Sequence, residues 1–424
     1  MEQNSFVSKF KLSEVLSLLP FLGKWLFFSL VVGAISGSAS AFFLVTLDWV
    51  TNYREANLWI IALLPLGGLV IGLAYYYLGK SVVKGNNLIF EEYHDPKAVI
   101  PFKMAPLVLF STLVTHVFGG SAGREGTAVQ MGGALADQLT HVFKLKAHDR
   151  KIILIMGIAG GFASVFGTPL AGAIFAIEVL VIGRMRYEAI FPALLTALVA
   201  DFICTAWQVH HTMYSIDFVP LLSLLHLFWA LVAGIVFGLA AKGFSIATHA
   251  WSRWFEAMIA YPPFRPVVGG IILALAIWGM GSTRYIGLGI PVIVESFQVQ
   301  VGHFDFLLKT IFTSFTLGAG FKGGEVTPLF YIGATLGNTL SQWIDLPMAL
   351  LAGMGFVAVF SGATNTPIAC TLMGIELFGS ESGTYMAIAC VVAFMVSGHA
   401  GIYSSQKLKG FKHAPFSNKS VLSE

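Results

Sequence analysis

Gly119-Gly-Ser-Ala-Gly-Arg-Glu-Gly-Thr127 interrupts apolar sequence on both sides, and part of it returns later in the chain. Gly123-x-Glu125-x-Thr127 followed by Gly133-Ala134 recurs as Gly323-x-Glu325-x-Thr327 followed by Gly333-Ala334, an offset of 200 residues. Further out, Thr168-Pro169 with Ile177-Glu178 recurs as Thr366-Pro367 with Ile375-Glu376, an offset of 198. Gly85, Ile89 and Glu91 recur as Gly289, Ile293 and Glu295, an offset of 204. Three matches in one order imply a duplicated unit, and so one domain built of two halves. In membrane proteins, repeats of this size mark halves that meet at a midplane site made from helix ends.

The 424-residue chain is 56% hydrophobic and only 11% charged, with a mean hydropathy of +0.78. Soluble domains carry about 25% charged residues, and a water-soluble fold would leave too much apolar surface uncovered. Lipid is therefore the main solvent. The 45 glycines fit that solvent, because small residues let membrane helices approach closely. Apolar segments run from about 24 to 50 and from 57 to 79, then almost without pause to about 208. A second series begins near 218 and ends near 400. Several are shorter than the about 20 residues that span a bilayer, and Gly or Pro interrupts many. Broken helices are tolerated at membrane depth only where protein or a polar cavity surrounds the exposed backbone.

These features predict an all-α polytopic membrane protein. Residues 1–23 are expected to form a cytoplasmic N-terminal segment, 24–405 the transmembrane domain and 406–424 a cytoplasmic tail. The halves fall at about 24–210 and 215–405. Lys9, Lys11, Lys144, Lys146, Arg150, Lys151, Lys407, Lys409 and Lys412 place both termini in the cytoplasm by the positive-inside tendency. The small-residue patch at 36–41 imitates a cleavage site, but the apolar run continues through Phe42, Phe43 and Leu44. A retained first membrane helix is the expectation. Cys204, Cys370 and Cys390 are odd in number, lack metal-ligand spacing and read as small hydrophobes. No metal or other cofactor is expected, and a net charge of +3 does not suggest nucleic acid.

Three glycine-containing breaks carry the chemistry: Lys84-Gly-Asn-Asn-Leu-Ile-Phe-Glu91, the 119–127 stretch, and Gly318-Ala-Gly-Phe-Lys-Gly-Gly-Glu-Val-Thr-Pro328. Each presents backbone N–H groups beside a positive helix end, which makes an anion site without a full positive charge. A weak field suits an ion that must also leave. Thr327 before Pro328 predicts a helix cap followed by a first-turn proline. Glu125 and Glu325 are carboxylates at membrane depth, which makes them functional candidates by default. The anionic form of Glu125 can occupy an anion site itself, and its neutral form can carry a proton. A structural ion pair with Arg124 is the plainer reading of that residue.

Other polar residues read as structural. Glu178 and Glu376 are expected to pair or cap, with Arg184 and Arg186 as ready partners for Glu178. His116, His226 and Asp201 read as satisfied core groups. Gly120-Ser-Ala-Gly123 with His399 faintly imitates a nucleophile loop and its base. That reading explains neither the repeat nor the two carboxylates, so no enzyme is expected.

Together the motifs resemble the CLC family of chloride channels and halide/proton antiporters. The family's gating signature is Gly-Arg-Glu-Gly-Pro, here Gly123-Arg-Glu-Gly-Thr127; its Gly-x-Phe-x-Pro segment is here Gly324-Glu-Val-Thr-Pro328. Gly160 to Glu178 is similar to the helix pair behind the gate, and Tyr403 falls where the family places its pore tyrosine. The resemblance spans about 24 to 405 and implies an inverted-repeat subunit with broken helices meeting at a midplane anion site. It also implies a homodimer, with one pathway per subunit.

Four departures narrow the substrate. Asn86 replaces the family's chloride-coordinating serine, and Thr127 replaces the gate proline. Glu325 stands where chloride members have an apolar residue, and Val179 replaces the inner proton-transfer glutamate. Together these resemble the fluoride/proton antiporter branch. They imply a secondary transporter that exports fluoride in exchange for protons across a prokaryotic inner membrane. The alternative is a chloride channel or chloride/proton antiporter of the same family. Glu125 and Glu325 would gate and couple protons; Asn86, Gly126, Val326, Thr327 and Tyr403 would bind the anion, with Phe90 as an aromatic-edge contact. Fluoride is costly to dehydrate unless strong donors replace its water. An Asn amide and a protonated carboxyl supply such donors.

Overall fold

The computed structural model describes residues 12–399, 401–409 and 412; Lys9 and Lys11 lie outside them. Eight helices precede the irregular connection 207–223. They are α1 (Leu12–Ala56), α2 (Leu64–Tyr77), α3 (Asn86–His94), α4 (Met104–Val117), α5 (Glu125–Val142), α6 (Ala147–Phe166), α7 (Pro169–Glu178) and α8 (Ile190–Ala206). Eight more follow: α9 (Leu224–Met258), α10 (Arg265–Met280), α11 (Ile290–Gln298), α12 (Asp305–Gly318), α13 (Val326–Leu340), α14 (Met348–Thr364), α15 (Pro367–Phe378) and α16 (Gly383–Val396). The two sets correspond in order. Thus α3 and α11 are both nine residues long and follow Gly85 and Gly289 at φ 58° and 76°.

Among the described residues, five helical stretches are long and apolar enough to cross a membrane: Leu18–Ala56, Leu58–Tyr77, Tyr187–Ala206, Leu224–Met258 and Pro262–Met280. They carry exposed apolar side chains such as Trp49, Leu66, Phe202, Leu231 and Trp278, as an outer wall solvated by hydrocarbon should. The helix α1 already begins at Leu12, ahead of residue 24, and runs unbroken through the small-residue patch. Gly37 there packs against Ala200 of α8: an added Cβ would lie 2.5 Å from the Ala200 carbonyl. Cys204, Cys370 and Cys390 are free and buried.

Shorter helices fill the interior. A Cβ at Gly132 of α5 would stand 2.3 Å from the Gly157 carbonyl of α6. The repeat-related Gly333 of α13 makes the same approach to Gly355 of α14, at 2.0 Å. Only glycine allows backbones so close, and without a strong hydrophobic drive inside lipid this contact supplies much of the packing attraction. Between the halves, repeat-related Phe162 and Phe360 stack with centroids 6.1 Å apart and planes 12° apart.

The halves are inverted, and two carboxylates display it. Glu178, at the end of α7, accepts from the Ile368 and Ala369 N–H groups at the start of α15, at 3.1 and 2.8 Å. Glu376, near the end of α15, accepts from Leu170 and Ala171 at the start of α7, at 2.9 and 2.8 Å. Each helix's end therefore lies at the other's beginning. This corrects the expected pairing of Glu178 with Arg184 or Arg186: its carboxylate is turned to two first-turn N–H donors of the other half, and Arg186 pairs with Glu188. The capping role itself agrees with the sequence reading. Two residues of strand, β1 (Val181–Ile182) and β2 (Lys407–Leu408), pair in parallel and hold the C-terminal segment beneath α7.

Two stability outcomes follow. Gly333→Ala should lower stability by about 1–3 kcal/mol through overpacking, whereas Gly243→Ala, with nothing within 4 Å of the new Cβ, should leave it unchanged or raised. Glu178→Ala, which strips the α15 N-terminus of its acceptor, should cost about 1–3 kcal/mol, while Arg184→Ala costs none. Thermal unfolding of the purified protein in detergent reads all four.

Candidate anion and proton site

The breaks ahead of α5 and α13 meet as a short antiparallel bridge. Gly123 N–H donates to the Gly324 carbonyl at 2.6 Å, and Gly324 N–H donates back at 2.8 Å. Two helix starts are thereby set side by side, each with first-turn N–H groups that have no helical acceptor. The start of α3 joins them from below. A Cβ built on Gly126 would lie 3.1 Å from Gly324 Cα, 3.2 Å from Asn86 Nδ2 and 3.6 Å from Glu325 Oε2. Three helix N-termini and two polar side chains thus converge on one residue's backbone.

The fully buried Glu125 turns its carboxylate into the other half. Its Oε2 accepts from Thr327 N–H at 3.0 Å and from Arg124 N–H at 3.1 Å, and its Oε1 accepts the Thr327 hydroxyl. The Arg124 guanidinium stands 3.5 Å from Oε1, so the expected ion pair is present beside the hydrogen bonds. A carboxyl group therefore already sits at the N-terminus of α13, where the dipole favours negative charge. This geometry corrects the reading of Thr327 as a helix cap. The helix begins at Val326, with Glu325 at the N-cap position and no side-chain cap bond. Thr327 lies inside the first turn, where its N–H and hydroxyl both serve Glu125.

Cavities approach this centre from two sides. One, the outer in the orientation expected from the basic residues, measures about 20 Å³ and is lined by Arg124, Glu125, His211, Tyr214, Thr327 and Phe330 among others. The inner one, about 260 Å³, is lined by Asn86, Gln130, Lys322, Glu325 and Tyr403 among others. Glu125 faces the first and Glu325 the second, with the backbone of Gly126 between them. Asn86 is buried, and its Oδ1 has no hydrogen-bond partner among the described residues. The donors that an anion would need are on Nδ2, which lies beside the Gly126 backbone. Phe90 does not line the cavity; its ring backs Tyr403 edge-on at 5.1 Å. Val326 is buried and lines neither cavity.

Some participants were not visible in the sequence. Lys322 lies in the third break, three residues before Glu325, and its ammonium sits 4.4 Å over the Tyr75 ring. Gln130 is one helical turn beyond Gly126, which is the spacing that could have revealed it. His211 and Tyr214 come from the irregular connection, which carries no periodic signal. The other polar residues are structural. His116 is the satisfied core group expected, facing the Thr112 and Ala122 carbonyls at 2.8 and 3.1 Å. Asp201 and His226 are not. Asp201 is half-buried 3.7 Å from His211, with its Oδ1 making no hydrogen bond among the described residues. His226 is half-exposed near the start of α9, its Nδ1 2.8 Å from the Leu221 carbonyl. Ser121 shares a hydrogen bond with the Thr313 hydroxyl at 2.8 Å. Val179 is buried, and its carbonyl accepts from the Gln406 amide at 2.7 Å.

Comparison with known proteins agrees with this architecture. The family model described as voltage gated chloride channel matches residues 67–398. A chloride/fluoride channel protein of Pseudomonas syringae pv. tomato is 54% identical over 413 residues, covering 96% of this chain and 91% of its own. A crystal structure of a CLC-type fluoride/proton antiporter superposes with a TM-score of 0.89 at 34% identity, over 91% of this chain and 98% of that one. A slow cyanobacterial Cl⁻/H⁺ antiporter shares the fold, with a TM-score of 0.78 at 21% identity over 89% of this chain and 96% of its own.

Proposed function

The chain belongs to the voltage-gated chloride channel (CLC) family, and from that membership we propose that it is a fluoride/proton antiporter. The observation that carries this reading is the second buried carboxylate: Glu325 faces the inner cavity beside Asn86, while Glu125 occupies the donors of α13. The similarity to a chloride/fluoride channel protein and to a fluoride/proton antiporter supports it.

Glu125 holds the place an anion would take. Protonated from the outer cavity, it loses its attraction to the α13 N-terminus and releases the Thr327 N–H. Fluoride arriving from the inner cavity then takes those donors, after exchanging its water for the Asn86 amide and the O–H of a protonated Glu325. Each is a strong donor, and the O–H to fluoride bond is charge-assisted. Gly126 and Val326 contribute backbone N–H groups, and Tyr403, steadied by Phe90, closes the inner end. As fluoride moves out, Glu325 releases its proton to the inner cavity, and the Glu125 proton then passes to the emptied Glu325 carboxylate.

In this reading the protein is a homodimer with one pathway per subunit. It lies in a prokaryotic inner membrane with both termini cytoplasmic. The basic residues Lys144, Lys146, Arg150, Lys151, Lys407 and Lys409 support that orientation. Inward proton flow would expel fluoride that entered as the neutral acid.

Efflux from liposomes, followed by fluoride and chloride electrodes together with external pH, tests the proposal. Fluoride efflux should be matched by proton uptake and strongly favoured over chloride. Glu125→Gln should abolish the proton movement. Glu325→Gln should slow fluoride efflux by about 10²-fold or more, the scale of removing a proton-transfer group. Rapid chloride efflux with no proton movement would instead make the chain a chloride channel.

A further inference from the structure

A large cavity lies away from the anion path. It measures about 800 Å³ and is lined by Lys151, Arg184, Arg186, Lys407 and Lys409, with Tyr93, His94, His148, Tyr187 and Glu188 among the remaining wall. Three separate parts of the chain bring these cations together. Lys151 stands one turn into α6, and Arg184 and Arg186 sit on the turn after β1. Lys407 and Lys409 arrive with β2, whose pairing to Val181 and Ile182 places them opposite.

The charge in this hollow is unbalanced. Glu188 is the one carboxylate in the wall, and it is engaged by Arg186, with His148 at 3.9 Å. Among the described residues, Lys151, Arg184, Lys407 and Lys409 form no ion pair, and Lys151 lies instead 5.7 Å from the Tyr93 ring centroid. The Nε2 of His94 is buried there without a hydrogen-bond partner. Basic residues that only orient a helix toward the cytoplasm can spread over the surface and need no shared concavity. Confining like charges costs energy at every pair, and a multivalent anion removes that cost. A guanidinium fork matches phosphate oxygens in pairs, and ammonium groups complete the shell as point charges. The volume falls within the range of small-molecule sites, which is far more than one inorganic phosphate needs.

We propose that this cavity is a binding site for a phosphate-bearing polyanion, which bridges β2 to the α6 end and the turn after β1. A soluble polyphosphate and the phosphomonoester headgroup of a membrane lipid share that chemistry, and the experiment separates them.

Purified full-length protein is titrated with inorganic tripolyphosphate by calorimetry. In parallel, its thermal midpoint is measured in phosphatidylcholine nanodiscs with and without phosphatidic acid. Binding in the first arm assigns the site to a soluble ligand, and stabilisation in the second to a lipid. In the responding arm, Lys407→Gln/Lys409→Gln and, separately, Arg184→Gln should weaken the effect by about tenfold or more, as loss of charge-assisted contacts does. Lys144→Gln/Lys146→Gln, on the same face but outside the cavity wall, should not. The proposal is overturned by no response in either arm, or by an equal loss in the Lys144/Lys146 variant, which would reduce the effect to general surface charge.

Discussion

Two main-chain hydrogen bonds between Gly123 and Gly324, at 2.6 and 2.8 Å, are what the rest of the structure depends on. A helix that stops inside hydrocarbon leaves backbone groups unmet, and each unmet group costs several kcal/mol. Here two such stops satisfy each other across the halves. A Cβ at Gly324 would lie 2.7 Å from the Gly126 nitrogen, so the bridge forms only with glycine. Once it forms, α5 and α13 start beside one another, and the residues flanking the bridge, Glu125 and Glu325, are delivered to one place. The Gly132–Gly157 and Gly333–Gly355 contacts then lock each of those helices to its neighbour.

Four repeat-related carboxylates divide into two kinds because of what the inversion offers them. Glu178 and Glu376 behave symmetrically: each caps the helix of the other half through two N–H groups. Both carboxylates are thereby turned to helix starts of the opposite half. Glu125 and Glu325 break the symmetry. Glu125 reaches the Thr327 N–H of the opposite half, yet Glu325 does not reach Thr127, whose hydroxyl is held by Thr112 at 2.7 Å. Glu325 turns instead to the inner cavity, with Asn86 and Lys322. An inverted repeat with one engaged and one disengaged carboxylate has two unequal faces.

Much of this was legible in the sequence because glycine and glutamate stand out in an apolar chain. The breaks, the two carboxylates and the duplication could be read directly, and the helices correspond in the order the repeat predicted. What could not be read was the identity of long-range partners. Glu178 was recognisable as a capping residue, but its partner lies about 190 residues away, and nearby arginines were the natural local choice. Thr327 before Pro328 carries the local signature of a cap; only the reach of Glu125 from the other half reveals its different use. Phe90 was expected at the anion and stands behind Tyr403 instead, since a one-dimensional reading does not fix the direction of a side chain on α3.

In the proposed exchange, coupling needs no large helix movement. With Glu125 ionised, the Thr327 N–H is taken, and an anion from the outer cavity meets a carboxylate where it would bind. With Glu325 ionised, an anion in the inner cavity meets another, although Lys322 offsets part of that repulsion. Two unit charges 4 Å apart repel by about 4 kcal/mol at an effective dielectric of about 20, close to a thousandfold in occupancy. Protonation removes the repulsion and turns each carboxyl into an O–H donor. Chloride, less costly to dehydrate, would gain little from that donor; fluoride gains both the lost repulsion and the hydrogen bond. Glu125 alone would serve a gated channel. In the proposed exchange it is Glu325, beside Asn86 in the inner cavity, that ties each anion to a proton.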